Sequence, residues 1–533
     1  MTIGGGFHHD AHHLAEGLLG GGAASFLTDL QRRFGTRREQ LLEGRRNGRR
    51  RIEGGERLTF RAETEPVRRQ RWSIAAPPKD LEDRRVGVTG SPDAATMIEG
   101  LNSGARVFIA DFENACSPSW GNVLAGQAAI RSFYRDDLTA VRSGVVLRPG
   151  DEPATLVVGV RGWHQVEPHA RVDGGAMSAS LFDFGLTAFH NGRASLDGGS
   201  GPYFSLPKLE SHLEARLWAD VIRHAEELLS LDRGSIRVTV VIETLPAAFE
   251  MDEILFELRD RACALTAGRS DYLASVVKTF RHDPSFVLPD RSDVGMDVPF
   301  MRAFGELMVS TCHRRGAHAI GGVTAALPDF SDPTAAREAL GTVTADNRRE
   351  AGNGFDGTLV AHTDAVAPAM AEFDRVLGGR SNQLEVQRDD VYITPGDLLA
   401  VRSTDGTITE EGVRANIRTG IRYLAAWLAG CGTVAVDDVV VDMSAAEFSR
   451  VQLWQWIRHR TRLSNGQVLT RPVTRHLIDD EMDAIWAVVG DETGVRARFD
   501  DARRLFERLT LTDELSEFVV TAIPPHTPNQ ESR

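Results

Sequence analysis

Six residues or pairs with chemistry in their side chains stand just after short apolar, β-branched runs: Asp111 and Glu113, Arg161, Lys208, Glu243, Asp271 and His362. Glu243 and Asp271 have no His or Cys ligand beside them. Two carboxylates that leave room for water and a substrate oxygen suit Mg²⁺, a hard ion that keeps part of its hydration shell. Two acidic residues at strand ends fit an ordinary ion-pair network as well. Arg161 is a permanent cation, suited to a developing oxyanion or to a salt bridge. Asp442 lies two residues before Ser444-Ala-Ala-Glu447, which reads as a capping box opening a helix. Unpaired N–H groups at a helix start favour a carboxylate there.

The elements that must position these residues follow from the texture of the chain. The runs Arg106–Ala110, Thr155–Val160, Tyr203–Leu206, Val238–Ile242, Cys263–Ala267, Ala317–Ile320 and Thr358–Ala361 alternate with amphipathic stretches such as Leu213–Leu229 and Met251–Arg261. Continuous apolar strands between helices indicate a parallel sheet buried on both faces. With Trp72–Ala75 as an eighth strand, they fit an α/β fold, a (β/α)₈ TIM barrel, with a doubly wound sheet as the other solution. In a barrel the strand ends open on one face, so the polar residues converge on one mouth. From about residue 410 the chain reads as helical, with helices over Glu411–Gly430 and Ser444–His459. At the other end, residues 1–25 read as a Gly- and His-rich mobile leader containing His8, His9, His12 and His13. A helix from Phe26 to about Glu43 then runs into Arg45, Arg46, Arg49, Arg50 and Arg51, which read as a solvated helix end.

Of the 533 residues, 61 are Lys or Arg and 75 are Asp or Glu, a net charge of −14. That balance argues against a partner held by its phosphate backbone, so no nucleic acid is expected. No stretch approaches the roughly 20 uncharged apolar residues of a spanning helix, so no membrane partner is expected either. The four cysteines make no CxxC pair and read as reduced, buried thiols. The N-terminus lacks a secretory pattern and the tail Gln530–Arg533 is not a peroxisomal address, so the cytoplasm is the expected location.

The stretches RVFIADFENACSPSWGNVLAGQ, VRGWH, GSGPYFSLPKLESHLEARLWADVI, VVIETLPAAFEMDEILFELRD, TCHRRGAHAIGGVTAALP, GFDGTLVAH, EEGVRANIR and DMSAAEFSRVQLWQWI together resemble malate synthase of the A type. The blocks occur in order from about residue 70 to 510. The resemblance implies a TIM barrel (72–405) with a leader and N-terminal helical clasp (1–71) and a C-terminal helical capping domain (406–533). It implies condensation of acetyl-CoA with glyoxylate to malate and CoA, with Mg²⁺ as cofactor, in a monomer or homo-oligomer. Arg161 of VRGWH matches the family's catalytic arginine, and Asp442 of DMSAAE its catalytic base. Glu243 of IETLP and Asp271 of GRSDY match its metal carboxylates. Asp111 and Glu113 of DFE match acidic residues behind the metal, and backbone N–H groups across Gly268, Arg269, Ser270 and Asp271 are expected to hold the glyoxylate carboxylate.

The chain departs from the family pattern in places. The block usually reads GLNCGRWDY where this chain has Ala264 to Tyr272, so that Ser270 replaces a tryptophan and Thr266 an asparagine. Asn114 replaces an aspartate, Thr363 a proline and Ala274 an aromatic residue. Losing an indole at Ser270 would widen the aldehyde side of the pocket, which leaves a related Mg²⁺-dependent acyl-CoA enzyme for a larger 2-oxo acid as the alternative function; a non-enzymatic CoA-binding relative is the other.

Overall fold

A computed structural model of the chain describes residues 1–3, 9–489 and 493–523. His8 and the tail Gln530–Arg533 lie outside these residues. Eight strands close a barrel: β1 (Val86–Gly90), β2 (Val107–Asp111), β3 (Thr155–Gly159), β4 (Tyr203–Leu206), β5 (Arg237–Ile242), β6 (Ala262–Ala267), β7 (His318–Thr324) and β8 (Gly357–Val360). Each is parallel to its neighbours in chain order, and β8 returns to pair with β1. Alternate side chains, among them Val107, Ile109, Val157, Ile320 and Leu359, fill the interior, so it is a packed core and not a pore.

The first strand is Val86–Gly90 and not Trp72–Ala75. Two glycines hide it from an apolar pattern, and Gly87 makes room for a neighbouring side chain. A Cβ there would lie 2.8 Å from the Leu359 side chain of β8. Trp72–Ala75 instead runs across the base of the barrel, where Ile74 N–H donates to the Arg315 carbonyl and Ala75 N–H to that of Arg259.

The N-terminal region also departs from expectation. Within the leader lies a helix, α1 (His9–Leu19), with Ala15, Leu18 and Leu19 buried. Helix α2 (Ala23–Glu53) continues well past Glu43. Its arginines are not all solvated: Arg45 is buried, gripping Glu214 with two N–H groups at 2.7 and 2.6 Å.

Helix α3 (Arg269–Thr279) follows β6. The C-terminal domain contains α4 (Glu410–Leu428), a short hairpin and α5 (Met443–Arg458), followed by helices Arg471–Val489 and Thr493–Thr510. Helix α5 is shared between two cores. Leu453 and Trp456 belong to the C-terminal core, whereas Phe448, Val451 and Trp454 belong to the core around the barrel. That double burial fixes the N-terminus of α5 relative to the mouth. Three cysteines are buried and unpaired as expected, but Cys431 is exposed. Among the described residues no helix is long and apolar enough to cross a membrane.

Candidate active site

The centre of the mouth is a cation among carboxylates. Lys208 Nζ lies 3.2 Å from Glu243 Oε2, makes a short ion pair with Asp271 Oδ2, and is 4.0 Å from Glu113 Oε1. Although burial opposes its charge, Asp271, Glu243 and Glu113 raise the Lys208 pKa. Burial drives the Glu243 pKa well above the carboxylate range, against the pull of Lys208. The carboxylates of Glu243 and Asp271 therefore converge on one cation position. Their hard oxygen donors suit a divalent ion there.

Local folding explains the convergence. Lys208 follows β4 with φ 56°, a left-handed conformation that an L side chain rarely adopts. Its neighbours hold it there. Its main-chain N–H donates to Glu243 Oε1 at 2.7 Å, and Arg45 of α2 donates to its carbonyl at 2.7 Å. Sequence reasoning noted Lys208 at a strand end but gave it no role. The structure makes it the hub.

Asp271 sits in the first turn of α3, and Gly268 caps that helix. Gly268 donates its own N–H to the Ile242 carbonyl at 3.0 Å, so it is not free to bind an anion as expected. A Cβ at Gly268 would lie 2.4 Å from Glu243 Cβ, so the glycine makes room for a neighbouring carboxylate. The Arg269 guanidinium donates to the Val294 carbonyl at 2.6 Å, and Ser270 is half-buried. The first backbone bond of the helix runs from Tyr272 N–H to the Gly268 carbonyl, which leaves the amides of Arg269, Ser270 and Asp271 ahead of it.

The loop after β2 ties the site together. Asp111 Oδ1 accepts the N–H groups of Glu113 and Asn114 at 2.8 and 3.2 Å. Burial still pushes the Asp111 carboxyl up to about 7. Glu113 Oε2 accepts from Gly162 N–H at 2.7 Å and Gln165 Nε2 at 2.6 Å, joining this loop to the one that carries Arg161. Asn114 Nδ2 donates to Asp271 Oδ2 at 3.3 Å, and its Oδ1 is 3.4 Å from Lys208 Nζ.

Arg161 is fully buried. It donates through Nε and Nη2 to Asp183 at 2.9 and 2.7 Å, and through Nη1 to Glu167 at 3.0 Å. Burial works against the charge, yet Asp183 and Glu167 hold its pKa above the ordinary value. Three of its five N–H groups are thus committed to locking the guanidinium plane, and two remain to donate elsewhere. Sequence reasoning missed Asp183 and Glu167. The legible signal was a carboxylate inside the apolar run Leu181–Leu186, which demands a buried cation.

Asp442 is itself the N-cap of α5; the expected capping box at Ser444 and Glu447 is not formed. Asp442 Oδ1 accepts from Ser444 Oγ at 2.6 Å and from Ala445 N–H at 3.0 Å. Glu447 turns instead to Lys278 of α3, 2.7 Å away, and to Arg450. Burial raises the Asp442 pKa, against the Ser444 hydroxyl and the Ala445 N–H, which lower it. Asp271 also raises it and Lys208 lowers it, so Asp442 lies within electrostatic reach of the cluster. His362 is not drawn in. It caps the short turn Thr363–Ala365 and lies 3.4 Å from Asp364.

Models of three domains match the chain: the malate synthase N-terminal domain over residues 9–66, the malate synthase TIM barrel domain over 155–401 and the malate synthase C-terminal domain over 407–525. The malate synthase of Streptomyces clavuligerus is 48% identical over 504 residues, covering 93% of each chain. The chain belongs to the malate synthase family. Malate synthase A of Escherichia coli K12 is 44% identical over 504 residues (94% of each chain), and the Myxococcus xanthus malate synthase is 46% identical over 498 residues, 93% of this chain and 92% of that one. The barrel match begins at β3, so β1 and β2, with Asp111 and its loop, lie ahead of it. As a malate synthase the protein is an acyltransferase of the glyoxylate cycle, joining acetyl-CoA to glyoxylate to give malate and CoA.

Proposed function

We propose that Asp442 removes a methyl proton from acetyl-CoA, that Arg161 holds the thioester oxygen as the enolate forms, and that Glu243 and Asp271 hold Mg²⁺. Asn114 carries this reading, because it touches both halves of the chemistry. Its carbonyl accepts the Met443 N–H at 3.1 Å, one residue from Asp442, while its side chain holds Asp271. A base on the capping domain and a carboxylate on the barrel are thereby fixed through one residue.

The residues suit these tasks. Both bonds to Asp442 fall on Oδ1, leaving Oδ2 to accept the proton, and a raised pKa makes it a stronger base. The plane of Arg161 is set before substrate arrives, so its remaining N–H groups meet the oxyanion without reorganisation. Bound Mg²⁺ supplies Lewis-acid polarisation of the aldehyde carbonyl of glyoxylate. The free amides of Arg269, Ser270 and Asp271, at the positive end of α3, hold the glyoxylate carboxylate. Asp111 and Glu113 act behind them, folding the loop that presents Asn114. Water then cleaves the malyl thioester, which makes the overall reaction effectively irreversible. Cytoplasmic residence, as a monomer or homo-oligomer, completes the reading.

The test is Asp442→Asn. The variant keeps the side-chain size and stays folded, binds Mg²⁺ with glyoxylate like the native protein, and loses turnover. Deuterium exchange into the acetyl methyl group of acetyl-CoA disappears with it. Near-native exchange in the variant removes Asp442 from the role.

A further inference from the structure

Helix α3 begins at the carboxylate assigned to the metal, and α5 begins at the carboxylate assigned to the base. The two helices are joined directly by the ion pair between Lys278 Nζ and Glu447, 2.7 Å apart, with both side chains buried. Lys278 is seven residues after Asp271, about 10 Å along α3; Glu447 is five after Asp442, about 7 Å along α5.

The pair is held from outside by the segment that follows the last long helix. Val519 N–H donates to Glu447 Oε2 at 3.2 Å. Arg450, which also binds Glu447, donates to the Ser516 carbonyl at 2.8 Å. The Phe518 ring lies between Lys278 Nζ, 4.3 Å from its centre, and the His164 ring, stacked at 3.8 Å. Glu517 pairs with Arg281 at 2.6 Å and with Arg49 of α2. Residues 516–519 thus touch the clasp, the barrel and the capping domain at one place.

A buried ion pair is a poor device for stability, because desolvation of two charges offsets most of their attraction; an uncharged pair of similar volume often serves as well. What it provides is fixed geometry. We propose that Lys278 and Glu447 are positioning residues that set the register between the base and the metal carboxylates. This rests on the reading of Asp442 as base and Asp271 as metal ligand. About 10 Å from the reacting groups, a rotation of roughly 6° at the pair moves a carboxylate by about 1 Å, and misplacement of that size costs on the order of 100-fold in rate.

The deciding protein is the full chain carrying Lys278→Met together with Glu447→Gln, which removes both charges of the pair and leaves Arg450 the Ser516 hydroxyl and carbonyl as acceptors. Its melting temperature is expected to fall, because buried Arg450 loses a carboxylate, while at assay temperature the folded variant is expected to keep near-native calorimetric affinity for Mg²⁺ with glyoxylate. Its kcat and the rate of deuterium exchange into acetyl-CoA are expected to fall together, about 10- to 100-fold. Glu447→Gln alone keeps the side-chain shape but leaves Lys278 without its carboxylate, and its kcat is expected to fall in the same direction. A kcat within threefold of native in either folded variant overturns the proposal. So does a loss of Mg²⁺–glyoxylate affinity as large as the loss of kcat, because that marks general damage to the site. Asp442→Asn run beside them separates the two readings. If it turns over, the base assignment fails; if it is inactive while the double variant is native-like, only the positioning role fails.

Discussion

Gly268→Ala places one methyl group where the structure has no room for it. The new Cβ would stand 2.4 Å from Glu243 Cβ, 3.1 Å from Glu243 Oε2 and 3.1 Å from Val241 Cγ1. Carbon atoms pack at about 3.5–4.0 Å, so Glu243 or the start of α3 must move by at least about 1 Å. Overpacking of this kind costs about 1–3 kcal/mol when it is not relieved. In the metal-free protein it is relieved by displacing Glu243, which weakens the bond from the Lys208 N–H to its carboxylate. With Glu243 proposed as a ligand of Mg²⁺, an ion that tolerates little departure from octahedral geometry, binding the metal returns the carboxylate to its place and restores the strain. Metal affinity then falls by the same 1–3 kcal/mol, about 5- to 150-fold. Calorimetric titration of Mg²⁺ in the presence of glyoxylate measures this, with CoA alone as the control ligand and circular dichroism as the check on folding. Native Mg²⁺ affinity in the folded variant refutes the reasoning, since the strain would then have been absorbed away from Glu243. Equal losses for CoA and Mg²⁺ refute it too, by pointing to disruption of the whole mouth.

Three further outcomes are expected. In Ser444→Ala the hydroxyl that lowers the Asp442 pKa is gone, so that pKa rises further and the acid limb of the kcat–pH profile moves to higher pH; an unmoved limb dissociates it from Asp442. For Glu447, burial acts upward but Arg450 and Lys278 bring the pKa down to about 2 from 4.5. A depressed folded pKa means stability that is complete above about pH 4.5 and is lost as pH falls toward 2, at most about 3 kcal/mol; acid unfolding of Glu447→Gln should therefore be shallower across that window. Ser270→Trp should lower pyruvate turnover relative to glyoxylate if the missing indole widened the aldehyde side, and identical ratios in the two proteins show that Ser270 does not shape the pocket.

The barrel was legible because a parallel strand buried on both faces is a continuous apolar run, and seven of the eight strands have that form. The eighth, Val86–Gly90, was hidden by the feature that makes it fit, a glycine under the Leu359 side chain. Trp72–Ala75 took its place in the sequence reading because apolar, extended chain looks the same at the base of a barrel as within its wall. The arginine cluster misled for a related reason. A charge run is solvated by default, and only the fold brings Glu214 and the Lys208 carbonyl to Arg45.

At the site, what could be read was the set of ionisable residues at strand ends, and what could not was which of them pair. Lys208 carries no motif of its own. Its importance lies in three carboxylates that follow three different strands, and their convergence is a property of closure. The departure at Asn114 illustrates how local identity and assembled role differ. The family pattern has an aspartate there, which would set a further carboxylate beside Asp271 in a cluster that already burdens one lysine. The amide instead donates to Asp271 through Nδ2 and presents Oδ1 to Lys208, while its carbonyl still anchors Met443. The substitution therefore removes a negative charge beside Asp271 without loosening the link to the residue after Asp442. In sequence it reads as a lost acid; in the folded chain it is one of the residues through which the C-terminal domain and the barrel meet.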